Sequence, residues 1–370
     1  MDVPQLTYHK VVLLIPSIDT DDENLKYYYD FTQSKAEYES VFKQLNIDWF
    51  WIDLTLTNYQ NQIDQIINEL GLTKIIFFNL CDGDEINGAP GISVINYLEK
   101  LNAIYTGANP DFYKITTSKI IMKQYFDQCD IPTPKWAVIN KDNIIEVFKT
   151  LGKTIIIKPA VSGGSMGVSV RNVVNSYADC LSCIEEIEAG YRGWNLSNGG
   201  IIAEEYIDGR EFTSLIVGDS RQDNEMKTFN IVERVFHKSL KPEEKFLSFD
   251  RLWETYETES AMPENGFFFE YHPVNDSINH LINELSIQAY RSVKGSGYTR
   301  IDIRQDSKSG KYFVLEANAQ CGLSEDENYT SIGAILRVSK TSFTALCEMI
   351  LNDTLTNHNS IQYESLRTTS

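Results

Sequence analysis

Arg300-Ile-Asp-Ile-Arg304 and Tyr312-Phe-Val-Leu-Glu-Ala-Asn318, joined through Gln305 to Lys311, form the stretch that decides how this chain is read. Two alternating runs flank the polar, glycine-ended Asp306-Ser-Lys-Ser-Gly310, a pattern that predicts a β-hairpin. With the turn centred on Ser309, Asp302 falls directly across from Glu316, and Arg300 and Asn318 share their face. Ile301, Ile303, Phe313, Leu315 and Ala317 occupy the other face, which is then the one that packs on a core. Carboxylates opposed on adjacent strands repel unless a cation or a shared proton compensates. A divalent ion is the simplest compensation, because Asp, Glu and Asn supply the hard oxygens that Mg²⁺ accepts beside water and nucleotide phosphate. A solvated face neutralised by salt bridges from Arg300 and Arg304 is the alternative.

Upstream, Ile155-Ile-Ile-Lys158-Pro leads into Ala-Val-Ser162-Gly163-Gly164-Ser165-Met-Gly167. A strand delivers a lysine at its end, and the small residues that follow let backbone amides approach phosphate oxygens. The lysine precedes the glycines, so this is no Walker loop, and the spacing is not that of a dinucleotide fingerprint. A flexible turn is the plain alternative. A third segment, Ile201-Ile-Ala-Glu204-Glu205-Tyr206-Ile207-Asp-Gly-Arg-Glu211, is an apolar strand ending in acids that can accept from amino or hydroxyl groups. Taken alone, it equally describes an edge strand with a solvated end.

The chain has 370 residues, more than one core usually organises. Apolar residues at 42% and aromatics at 12% can bury such cores. Lys plus Arg number 33 against 52 Asp plus Glu, a formal charge of −19 that argues against nucleic acid and anionic membranes as partners. The amino terminus has no basic stretch followed by an apolar run, and no segment approaches the roughly 18 uninterrupted apolar residues of a membrane span. A soluble, cytoplasmic protein is expected. Six scattered cysteines do not form a disulfide framework, and Cys180-Leu-Ser-Cys183, in a helical stretch without further ligands, reads as core packing.

The first hundred residues alternate strands (Val11 to Pro16, Ile47 to Ile52, Lys74 to Leu80, Ala103 to Thr106) with amphipathic segments. That alternation predicts a parallel sheet with helices on its faces. A ligand is expected beyond the strand ends, at Asn79-Leu-Cys-Asp-Gly83. A helix is expected from Phe112 to Gln128, strands at Lys135 to Ile139, Thr154 to Lys158 and Gly200 to Glu205, and an aperiodic loop over the site from Lys241 to Asn265. The resulting division is 1–110, 111–207, 208–352 and a mobile tail, 353–370.

These pieces in this order resemble the ATP-grasp superfamily, and within it the D-alanine-D-alanine ligase branch, over residues 10 to 350. The succession that carries the resemblance is Lys119, Ile-Ile-Ile-Lys158-Pro, Glu204 to Glu211, Thr-Arg300-Ile-Asp302, and Leu-Glu316-Ala-Asn318 followed by Cys321-Gly322. It implies an α/β, three-domain architecture: an N-terminal parallel-sheet domain on the substrate side and two subdomains clamping ATP. Lys119 and Lys158 match the lysines that hold phosphates, and Ser162, Gly163, Gly164, Ser165 and Gly167 match the loop closing over them. Glu204 matches the acid near adenine, Glu205, Tyr206 and Ile207 its main-chain contacts, and Glu211 the ribose contact. Asp302, Glu316 and Asn318 match the ligands of two Mg²⁺ ions, with Mn²⁺ an alternative, and Arg300 and the Gly322 amide match the oxyanion-stabilising groups.

The resemblance implies a carboxylate-amine ligase: a carboxylate attacks the γ-phosphate of ATP, and an amine attacks the resulting acylphosphate. Small-molecule amino acids are the implied partners, and a homodimer through the first domain suits the family. Departures fall on the amino-acid side. Ile15 to Glu23 lacks the family's acidic motif, with Asp21, Asp22 or Glu23 as substitutes. Cys81 falls nearest the family histidine, Gly164 replaces a serine beside Ser165, and Leu252, in Arg251-Leu-Trp253, takes the position of an expected lysine. Beyond Gly322, Leu-Ser-Glu-Asp-Glu-Asn-Tyr329 puts acids where the family uses hydroxyls to bind the acceptor carboxylate, so the substrates are expected to differ from two D-alanines. Cys81 and Cys321 read as packing or substrate lining. A non-catalytic nucleotide-binding regulator and a phosphotransferase acting on a hydroxyl are the competing functions.

Overall fold

The structure, a computed structural model, describes Leu6 and residues 9–21, 29–191, 193–222, 226–252, 262 and 266–368, with side chains through His358. Strand β1 (Lys10–Pro16) is an apolar run with all but its first residue buried, as expected of a strand covered on both faces. It pairs in parallel with β2 (Trp49–Leu54) and β3 (Ile75–Asn79), and β4 (Ile104–Tyr105) completes the order β2-β1-β3-β4. Val11, Leu13 and Ile15 pack with Tyr38 and Phe42 of helix Thr32–Leu45, while Val12 and Leu14 pack with Ile63 and Val94 on the opposite side. Alternation along one strand thus builds two cores.

Two antiparallel sheets follow. The smaller has the order β5-β8-β6-β7, from β5 (Trp136–Val138), β6 (Ile155–Pro159), β7 (Val173–Val174) and β8 (Ile201–Glu205). Helices Ile144–Leu151 and Tyr177–Ala189 cover it, and Cys180 and Cys183 are buried among Ile155, Ile157 and Ile184, in keeping with a packing role. The larger sheet joins β9 (Gly209–Val217), β11 (Val232–Phe236), β12 (Phe269–Pro273), β13 (Tyr298–Asp306) and β14 (Tyr312–Ala319) in the order β12-β11-β9-β13-β14, with β10 (Lys227–Thr228) on β9. Among the described residues no helix is long and apolar enough to cross a membrane.

Three expectations need correction. The helix expected from Phe112 to Gln128 is two helices, Pro110–Thr117 and Lys119–Gln128, because Ser118 is extended and its hydroxyl caps Ile121 N. The core face of β14 is also different. Asp302 pairs with Glu316 as expected, but Ile303 then pairs with Val314, so Leu315 is the extra residue of a β-bulge. Val314 is therefore the residue buried with Ile301, Ile303 and Ala317, while Phe313 and Leu315 stay partly exposed. Finally, the tail expected after Asp353 continues helix Phe343–Thr368, with Thr354 and Leu355 buried.

Candidate active site

The register of β13 and β14 sets Asp302 beside Glu316 and Arg300 beside Asn318 on one face. Arg300 Nε donates to Asp302 Oδ2 at 3.0 Å, and its terminal nitrogen lies 2.9 Å from that oxygen and 3.8 Å from Glu316 Oε1. Asn318 Nδ2 sits 3.4 Å from both Asp302 Oδ2 and Glu316 Oε1. Thr213 Oγ1, across on β9, donates to Asp302 Oδ1 at 2.9 Å. The two acids thus converge, bridged by one guanidinium and one amide. Among the described residues no third His, Cys, Asp or Glu completes a cluster able to hold a metal ion. Two carboxylates plus an amide oxygen nonetheless suit an Mg²⁺ that takes its remaining ligands from phosphate and water.

Facing this hairpin is a set of lysines, one of which the sequence reading missed. The break at Ser118 starts a new helix at Lys119, whose amide donates to Ala160 O at 2.8 Å and whose Nζ donates to Ser162 O at 3.1 Å, tying it to the glycine-rich turn. One helical turn on, Lys123 is wholly buried, and its Nζ lies 3.1 Å from Glu204 Oε1 while Lys158 Nζ lies 2.7 Å from Glu204 Oε2. Burial alone would raise the Glu204 carboxyl; Lys123 and Lys158 outweigh it and hold the pKa at about 2. Burial, and repulsion from Lys158, pull Lys119 below the ordinary lysine range against the attraction of Glu316 and Glu204. Lys119 thus senses acids on both sheets. The i, i+4 spacing of Lys119 and Lys123 was the signal for the missed residue.

Glu204 and Glu211 are less open than the sequence reading supposed. Both oxygens of Glu204 are taken by lysines. Glu211, on β9, lies in register with Arg234 of β11 and Arg304 of β13. All three are buried: Glu211 Oε1 pairs with Arg234, and Arg304 stands 3.2 Å from Oε2. Arg304, which the solvated-face alternative made a neutraliser of the hairpin acids, instead serves Glu211, donates to Ile207 O at 2.9 Å and to Lys245 O, and stacks over the Tyr206 ring. Glu205 N donates to Lys135 O, Tyr206 N to Thr154 O, and the Tyr206 hydroxyl to Pro242 O. The Glu204–Ile207 connector is therefore clamped from both sheets. Residues 241–252 of the expected loop dock here, with Phe246 against Ile156 and Val168.

Ser162, Gly163, Gly164, Ser165 and Gly167 form a tight turn, with Met166 N donating to Gly163 O and Val168 N to Ser165 O. At Gly167 (φ +75°) a Cβ would stand 2.6 Å from Leu196 Cδ1 and 3.0 Å from Pro159, so any side chain there is strained and displaces Leu196. Gly322, beyond the end of β14, is exposed with open space around its Cα. Cys81 and Cys321 are buried, and burial pushes the Cys321 thiol up to about 12, which argues for packing and against a nucleophile. Next to Cys81, Asp82 is open to solvent beyond β3, yet the protein mass around it pushes its carboxyl up to about 6, and it acts electrostatically on Cys321. Asp22, Glu23 and residues 253–261, Trp253 among them, lie outside the described residues, so the substitute for the family's ammonium-binding motif is described only at Asp21.

The architecture of a parallel-sheet domain followed by two antiparallel subdomains with facing lysines and acids is that of ATP-grasp ligases. A D-alanine–D-alanine ligase from Bacillus anthracis solved with ATP superposes with a TM-score of 0.65 at 18% identity, covering 95% of this chain and 99% of that one. The VanG D-Ala:D-Ser ligase of Enterococcus faecalis gives 0.66 at 15%, with the same coverage. A D-alanine–D-alanine ligase of Acinetobacter baylyi is 27% identical over 262 residues, 70% of this chain and 74% of that protein. The family model described as D-ala D-ala ligase C-terminus matches residues 125–352. The chain belongs to that family and is an ATP-dependent, carbon–nitrogen bond-forming ligase.

Proposed function

We propose that this ligase activates an amino-acid carboxylate as an acylphosphate and transfers it to an amine whose binding end carries no free carboxylate, so that its substrates are not two D-alanines. The observation that carries this reading is the convergence of Asp302, Glu316, Asn318 and Arg300 opposite Lys119 and Lys158. In this reading Lys119 and Lys158 meet the phosphates, and the Ser162–Gly167 turn covers them and excludes water. Glu204, with Lys123, fixes Lys158; an adenine amino group would share one of its oxygens. Glu205, Tyr206 and Ile207 line the base, and Glu211 meets the ribose at the edge of its arginine pair. Asp302, Glu316 and Asn318 would hold two Mg²⁺ ions, which when bound neutralise charge on the terminal phosphates. The oxyanion that develops on the acyl carbonyl as the amine attacks would sit between Arg300 and the Gly322 amide.

The acceptor end is where the chain departs from its relatives. Ser324 donates its hydroxyl to Glu37 at 2.9 Å and is engaged within the protein, while Glu325 and Glu327 are exposed on the same loop. A carboxylate arriving there would meet like charge. Asp82, across at the end of β3, adds a carboxylate suited to an ammonium or other cation. Six free cysteines accord with a reducing cytoplasm, and we read residues 1–110 as the substrate-side domain and the face of a homodimer. Residues 111–207 and 208–352 are then the two halves that clamp the nucleotide.

Screening amino acids and amines pairwise for MgATP-dependent phosphate release, with amide detected by mass spectrometry, tests the proposal. A pair with a cationic or uncharged acceptor is expected to turn over, and Glu316→Ala to abolish turnover with the fold intact. Fastest ADP release with D-alanine alone would refute the substrate reading; phosphate release by Glu316→Ala at the unsubstituted rate would refute the metal assignment. An amide product separates a ligase from a phosphotransferase.

A further inference from the structure

Gly322 is exposed and nothing packs around its Cα, yet the loop that carries it is tied down on both sides by the N-terminal sheet domain. Two residues before it, Gln320 is 2% exposed and adopts a left-handed φ of +53°. Its Nε2 donates to Asn79 O at 2.6 Å, and its Oε1 accepts from Ala108 N at 2.7 Å. The fit is close: a Cβ on Gly107 would come within 1.7 Å of Gln320 Oε1. Two residues after Gly322, Ser324 Oγ donates to Glu37 Oε1 at 2.9 Å, and Glu325 N donates to Glu37 Oε2 at 3.3 Å. Glu37 is itself buried, in helix Thr32–Leu45.

We propose that Gln320 and Glu37 are positioning residues: together they suspend the Gly322 amide at a fixed place between the N-terminal domain and the hairpin. The proposal rests on the reading that this amide stabilises the oxyanion of amine attack. A buried amide with both ends satisfied has one favourable placement, and losing either partner leaves a buried polar group unpaired. The strap therefore locks the main chain through Gly322 before substrate arrives, as oxyanion stabilisation requires. It also makes the N-terminal domain part of the transfer step, not only of substrate binding. When the donor drifts, the acylphosphate still forms but is lost to water: water attacks the acyl carbon, the carbon–oxygen bond to phosphate breaks, and free carboxylate and phosphate leave in place of amide and phosphate.

The test compares the full-length protein with Gln320→Met, Gln320→Glu and Glu37→Gln. Gln320→Glu keeps the shape and the Ala108 bond but sets an oxygen against Asn79 O, so it separates the polar contact from packing. With the substrate pair found by the screen, amide formed per ADP is expected to fall at least about threefold in both Gln320 variants, with KM for ATP within about twofold. In nucleotide-free protein, hydrogen exchange at residues 79–83, 106–109 and 320–325 is expected to speed up together by about tenfold, while 209–217 is unchanged. Glu37→Gln should loosen 320–325 alone. An unchanged ratio of amide to ADP, even with a lower kcat, overturns the proposal. If no pair yields amide with the unsubstituted protein, the substrate reading fails by itself, and unaltered exchange in Gln320→Met and Gln320→Glu still overturns the strap.

Discussion

Glu211 holds two buried arginines, and each depends on it for charge compensation. Truncating one member of such a group costs far more than the group contributes, because the remaining charges stay buried and unpaired. Glu211→Ala is therefore expected to destabilise the protein by about 3–5 kcal/mol in urea denaturation, whether or not nucleotide is present. A loss confined to nucleotide affinity would mean that the ribose contact is its main role. Glu204 makes a pH-dependent prediction. Its carboxyl is held below its ordinary 4.5, at about 2, so the stability it contributes is complete above 4.5 and is lost as pH falls through about 2. The stability gap between the unsubstituted protein and Glu204→Gln should accordingly narrow as pH falls from 4.5 through about 2. A gap that is flat with pH would show that the lysine pairing adds nothing to the folded state.

At the scale of elements, the glycine-rich turn and the hairpin are each shaped by one local feature. The turn is seated by Gly167 against Leu196 and Pro159, so Gly167→Ala combines a left-handed strain with a clash. It is expected to cost more than about 1 kcal/mol and to weaken ATP binding, whereas Gly163→Ala at the exposed crest should change stability by less than about 0.5 kcal/mol. Equal effects in denaturation and nucleotide titration would remove the turn from the site. In the hairpin, the bulge at Leu315 lies just past the Asp302–Glu316 pair, so the polar face follows the simple alternation while the core face beyond it slips by one residue. The hairpin and its facing carboxylates were legible because period-two alternation and the turn residues determine pairing near a turn. The bulge was not, since it follows from how Val314 meets Met122 and its neighbours in a core assembled from distant segments.

For the whole molecule, the lysines come from one antiparallel sheet and its leading helix, and the hairpin acids from the other, so in the proposed reading a nucleotide between them would join both. MgATP at about a hundredfold its dissociation constant is expected to stabilise the fold by about 2.7 kcal/mol, read as a rise in Tm. EDTA should remove most of that rise, and Glu316→Ala should not show it. A rise that survives EDTA would place the phosphates on the lysines alone. Gln320, which no motif singled out, acts across domains on Asn79 and Ala108, whereas Lys123 and Arg234, also missed, reach Glu204 and Glu211 within their own subdomains through helix packing and cross-strand register.

What the amino-acid order determined by itself was most of the elements, the family, and which polar groups stand as candidates for the proposed nucleotide site, because these depend on periodicity, turn chemistry and spacing within short segments. Only the tertiary structure decided which of those groups are already spoken for. Glu204 and Glu211 read as free acids at a strand end, but cross-strand register and helix packing bring lysines and arginines to them, since a buried carboxylate is stable only where opposite charge reaches it from elsewhere in the fold.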